Sequence, residues 1–153
     1  MNKLLICALC AFSINAGAAD PVPYPKGYRN WTHVKSMVIN PGHPLYDAFG
    51  GIHHLYANKQ ALAGYRSGKF ADGSVIVFDL LEANTGGNAV QEGPRKVVGV
   101  MRKDAAKYSV TGGWGFEAFK AGKPAVGDNA AKACFECHAS QKQRDYVFST
   151  WRE

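Results

Sequence analysis

Near the C-terminus two cysteines stand two residues apart, with a histidine directly after the second: Cys134-Phe135-Glu136-Cys137-His138. Two thiols and an imidazole so close together suit a redox dithiol, a zinc site or the attachment of a haem. A redox dithiol expects a thioredoxin-like βαβ frame, and none is legible around the motif. A structural zinc ion needs four ligands, and no second Cys/His pair has suitable spacing, since His53 and His54 are adjacent. Haem attachment requires this order. Each thiol adds across one vinyl group, and a two-residue gap on a helical turn matches the vinyl separation. The next residue is carried under the ring. The pattern predicts one haem c per chain, bound covalently by Cys134 and Cys137, with His138 as the axial ligand of the iron.

The sixth position of the iron decides the chemistry. Two strong axial ligands make an electron carrier, whereas one ligand and an open face make a protein that binds or transforms small molecules. Candidates for the sixth ligand are His33, His43, His53, His54, Met37 and Met101. The two methionines lie in strand patterns and read as core, and His43 sits in a proline-flanked loop. His53 and His54 must point to opposite faces of a strand, so at most one reaches a common pocket. None has a context that demands ligation, which favours a vacant or weakly filled site.

Maturation of such a haem takes place outside the cytoplasm, and the N-terminus agrees. Lys3 supplies a positive start, Leu4 to Ile14 an apolar run too short to span a bilayer, and Ala16-Gly17-Ala18 a cleavage signal. Residues 1–19 read as a signal peptide and 20–153 as a single periplasmic domain without a membrane anchor. Cleavage removes Cys7 and Cys10, so the two remaining cysteines belong to the motif and no disulfide framework exists. The formal charge of +6 falls to +5 once Lys3 is removed. The basic residues are scattered, which argues against nucleic acid. A mildly basic surface suits an acidic redox partner protein, although it is also what an ordinary solvated surface carries.

The elements that must position the motif are mostly strands. Pro21, Pro23 and Pro25 impose an extended arm. Strands are expected over His33–Ile39, Gly50–Ala57, Ser74–Ala83, Lys96–Arg102 and Gly113–Lys120. A helix is expected over Lys59–Arg66, capped by Asn58 and ended by Gly68. Loops are expected over Asn40–Pro44, Thr85–Asn88 and Gly122–Asn129. A short helix from Ala130, capped by Asp128 or Asn129, leads into the motif, and Tyr146-Val147-Phe148 should pack back on the domain. The expected class is mainly β (α+β): an antiparallel sheet with a few short helices and a C-terminal haem-attachment helix.

Four stretches, GKFADGSVIVFDLLEA (68–83), KVVGVMRK (96–103), GGWGFEAF (112–119) and CFECHASQKQRDYVF (134–148), resemble the cytochrome P-460 family, most closely its cytochrome c′-β members. The resemblance implies a β-rich fold, usually a homodimer, with five-coordinate haem c. It also implies one of two chemistries. P-460 enzymes link a lysine to the haem and oxidise hydroxylamine. The c′-β proteins lack that link and bind nitric oxide and carbon monoxide under a phenylalanine cap. Carried over, the cap is Phe49 and Phe78, and the nearest candidate for a linking lysine is Lys69, which otherwise reads as a solvated turn residue after Gly68. A phenylalanine roof supplies no base for hydroxylamine oxidation and disfavours polar ligands, while neutral diatomics pay little to enter. The expectation is a gas-binding cytochrome rather than a hydroxylamine oxidoreductase or a simple electron carrier. Lys142 and Arg144, close after His138, read as surface charge.

Overall fold

The runs Val75-Ile76-Val77-Phe78 and Val97-Val98-Gly99-Val100 are rich in β-branched residues, and they pair to form the middle of the molecule. The computed structural model describes residues 21–126 and 130–152. The expected signal peptide and the Asp128 or Asn129 cap lie outside the described residues. Among those described, β1 (Thr32–Ile39), β2 (Gly51–Ala57), β3 (Val75–Gly86), β4 (Ala89–Lys103), β5 (Trp114–Lys120) and β6 (Lys123–Pro124) form one antiparallel sheet in chain order. The protein is mainly β, as the pattern of its apolar runs predicts.

Two local expectations are corrected. Thr85 and Gly86 belong to β3 rather than to a loop, because Gly87 (φ 56°) and Asn88 (φ 60°) close a two-residue hairpin and let Gly86 pair with Ala89. The small, polar stretch after Lys120 turns back far enough for Lys123 and Pro124 to pair with β5. A four-residue helix, α1 (Tyr46–Phe49), was not legible, being too short for periodicity to reveal. Its turn is closed by Phe49 N–H to the Leu45 carbonyl (2.8 Å) and Gly50 N–H to the Tyr46 carbonyl (2.7 Å).

α2 (Lys59–Ser67) begins and ends as its sequence predicts. Asn58 Oδ1 accepts from Ala61 N–H, and Gly68 takes the left-handed φ of 77°. α3 (Ala130–His138) runs on into a 3-10 turn over Ala139–Arg144. These elements divide the core by sheet face. On one face the N-terminal arm (Val22, Tyr28) packs on Val77, Val98, Val100 and Phe119. On the other, α2, α3 and the tail cover Ile76, Trp114 and Phe116, with Val147 buried among them. The tail packs back as expected through Val147, while Phe148 stays half exposed.

Candidate functional site

α3 places Cys134, Cys137 and His138 at spacings of three and four, the spacings that share one helical face. Both cysteines are free thiols, Cys134 half-buried and Cys137 exposed. Burial pushes the Cys134 thiol up, and Glu117 and Cys137 add to it. The imidazole of His138 lies between Phe116 of β5 (ring centroids 5.1 Å apart) and Phe148 of the tail (5.0 Å). Its Nδ1 is 2.7 Å from the Tyr146 carbonyl oxygen, which can only accept, so the proton sits on Nδ1. Burial holds the ring below its usual pKa, more than the Tyr146 carbonyl raises it. His138 is therefore a neutral imidazole with the Nε2 lone pair available, the form a metal ligand must have.

What holds the Tyr146 carbonyl in place comes from remote parts of the chain. Asp145 (φ 50°) and Tyr146 (φ 66°) are consecutive left-handed residues, and neither is glycine. Such backbone persists only when its surroundings over-determine it. Lys103 Nζ donates to Asp145 Oδ1 at 2.6 Å and Phe70 N–H to Oδ2 at 2.9 Å. Trp114 Nε1 donates to the Asp145 carbonyl at 2.8 Å, and Tyr146 N–H to the Gln141 carbonyl at 2.8 Å. Gly112 lies under the Tyr146 ring, where a Cβ would come within 2.2 Å of a ring carbon. Sequence reasoning missed Lys103, Trp114 and Asp145 in this role. Their partners lie 31, 42 and 75 positions apart, so no local pattern signals them.

The same sheet face carries the aromatic cluster. Phe78 projects from β3, with Phe49 at 5.7 Å in edge-to-face contact and His53 of β2 at 4.5 Å. Phe78 and Phe49, the expected cap, are thus together. Gly99 of β4 pairs with Phe78 on one side and Ala118 of β5 on the other, so no bulky side chain rises between β3 and β5 at that level. Two strand spacings, about 10 Å, separate the β5 strand under His138 from the β3 strand of Phe78. An imidazole on one side and a phenyl wall on the other would suit a flat aromatic macrocycle across that width. The donor set fits too: a helix with two free thiols and a neutral imidazole whose free nitrogen has no competing proton.

The remaining candidates are dispersed. His33, Ser36 and His54 are hydrogen-bonded together on the opposite face, where His54 Nε2 also meets Glu92 at 2.7 Å. His43 Nδ1 accepts from Leu45 N–H in its loop. Met101 packs against the core with Ile76 as its strand partner, and Met37, the strand partner of His53, is half exposed. His53 and His54 do face opposite ways, as the pleat requires. Lys69 is exposed on the turn after α2, its backbone bonded to Ser67. Arg144 donates to the Ser149 carbonyl and Lys142 is exposed.

No curated protein is similar enough to the chain to match it. The cytochrome P460 family model matches residues 25–149, a span that takes in the whole sheet, the Phe49–Phe78 cluster and the Cys134–His138 motif. The chain therefore belongs to the cytochrome P460 family, and with it to the haem cytochromes.

Proposed function

We propose that the protein is an exported, periplasmic mono-haem cytochrome whose haem c is attached through Cys134 and Cys137, with His138 as the single strong iron ligand, and that it binds nitric oxide and carbon monoxide. Held by these residues, a haem would supply an iron able to take a diatomic ligand. The observation that carries the reading is the arrangement on one sheet face: a neutral imidazole over β5 and an aromatic wall of Phe78 and Phe49 across two strands. Cys134 and Cys137 would hold the group through two thioether bonds, each S–H adding across one vinyl group with its proton going to carbon. The Tyr146 carbonyl keeps the His138 proton on Nδ1 and the ring oriented. Phe78 and Phe49, the latter 40% exposed, give the side across from His138 an apolar wall, which makes entry costly for ions but cheap for neutral diatomics. The exposure of Lys69 supports the gas-binding reading over one with a lysine–haem link.

The protein acts as a homodimer in this reading. Its support is the edge strand β1 together with the exposed apolar side chains of Val38, Leu45 and Tyr46. A redox partner protein with an acidic face completes the scheme by returning the iron to the ferrous state. Absorption spectra of the purified protein, oxidised and reduced, with and without each gas, test the core of it. A five-coordinate, high-spin ferrous spectrum that changes rapidly on adding carbon monoxide is expected. A six-coordinate, low-spin ferrous spectrum would overturn the reading.

A further inference from the structure

One group in the aromatic cluster does not belong in an apolar wall. His53 is only 6% exposed. Its ring lies 4.5 Å from that of Phe78, tilted by 35°, in the same cluster as Phe49. Its Nδ1 is buried and has no hydrogen-bond partner among the described residues. Buried polar atoms are almost always paired, because losing water without gaining a partner is costly, and an orphan calls for an explanation such as an unseen ligand. A strand residue on this face could fill the space as Leu or Phe without that cost. Leu80 and Met37, its two strand partners, show that apolar side chains are accommodated beside it.

We infer that His53 is the polar residue of the pocket and hydrogen-bonds, through its imidazole N–H, the outer atom of a diatomic ligand bound opposite His138. The inference deepens the proposed gas-binding role and rests on it. Burial, helped by the neighbouring His54, pushes the His53 pKa down to about 4, so the ring is neutral at ordinary pH. A neutral ring carries one N–H donor and one acceptor without placing a charge in the pocket. It favours ligands whose outer oxygen gains negative character on binding iron.

The test uses the full mature holoprotein, with carbon monoxide as the probe. In the ferrous complex a hydrogen bond to the outer oxygen lowers the C–O stretching frequency. His53→Leu should raise that frequency and speed carbon monoxide dissociation about tenfold, the factor given by one ordinary hydrogen bond. His53→Gln keeps an amide N–H and should fall between the two, and it carries the test should the leucine variant not fold. If wild type binds carbon monoxide but neither variant shifts the stretch or the dissociation rate, the role of His53 is overturned while gas binding stands. If wild type does not bind carbon monoxide, the proposed function itself fails. If His53→Leu converts a low-spin spectrum to a high-spin one, His53 is an iron ligand, and both readings are overturned.

Discussion

The turn that presents the Tyr146 carbonyl to His138 is strained, and the Lys103–Asp145 pair pins it. Replacing Asp145 by Asn removes the charge but keeps an oxygen for Phe70 N–H. The side chains of Lys103 and Asp145 are only 11% and 18% exposed, so the remaining ammonium loses most of its compensation. Breaking a fully buried pair costs about 3–5 kcal/mol, and the residual exposure brings the expectation to about 2–3 kcal/mol. The left-handed backbone at Asp145 and Tyr146 holds a comparable amount, about 1–2 kcal/mol per residue. With the anchor weakened, relaxing the turn becomes competitive with keeping it. Thermal unfolding followed by circular dichroism should therefore show a drop of about 10 °C. In the ferrous holoprotein the iron–histidine stretching frequency should fall as well, because a weaker Nδ1–H bond makes His138 a poorer donor. Lys103→Met combined with Asp145→Leu removes both charges and should recover much of the stability without restoring the iron–histidine frequency. If Asp145→Asn melts within about 2 °C of wild type, the pair does not hold the turn. If it melts early but leaves the iron–histidine stretch unmoved, the turn does not set His138.

Other consequences can be checked independently. Asn58 Oδ1 accepts from Ala61 N–H (2.9 Å) and Val75 N–H (3.1 Å), and its Nδ2 donates to the Gly73 carbonyl (2.8 Å). Asn58→Ala should cost about 2 kcal/mol in urea unfolding, and Asn58→Asp, which keeps both acceptor bonds, about half of that. Asp79 is fully buried between Arg29 (3.1 Å) and Arg95 (2.6 Å). Burial alone would raise its pKa, but the hydrogen bonds from Arg95 and Arg29 outweigh it and hold the carboxyl below the ordinary 3.8. The stability this supplies is complete above that ordinary value and is lost as pH falls through the lower folded one. Asp79→Asn should flatten the acid limb of a stability–pH curve below about pH 4 and leave its shape above unchanged. Lys69→Ala should alter neither the absorption spectrum nor the mass of the haem-bearing peptide, and a change in either would show that this exposed lysine reaches the haem.

Much of the fold is legible in the sequence because the forces that shape it are local. β-branched runs become strands, Asn58 and Gly68 bound a helix, and three prolines keep the arm extended. Gly87 and Asn88 form a two-residue hairpin turn, so the loop expected over Thr85–Asn88 shrinks to its last two residues and β3 runs on to Gly86. α1 has too few residues for a period. The site divides in the same way. The Cys134–His138 spacing is a covalent requirement written along the chain, so it is visible at once.

The rest of the site depends on which residues the pleat and the register bring to one face. Alternation tells that His53 and His54 face apart, but not which of them joins Phe78. The β1–β2–β3 register decides that. It puts His54 with Ser36 and Glu92, and His53 against Phe78. The chain alone shows that His138 follows the second cysteine. It does not show that Lys103, Trp114 and Phe70 converge on Asp145 to aim the Tyr146 carbonyl at His138 Nδ1. Chemistry that needs only neighbours is written along the chain: two thiols and an imidazole on one helical turn, and strands enough to carry them. The protonation and aim of that imidazole and the make-up of the wall facing it come from the folded sheet. Those depend on contacts between residues tens of positions apart, which only the folded sheet brings together.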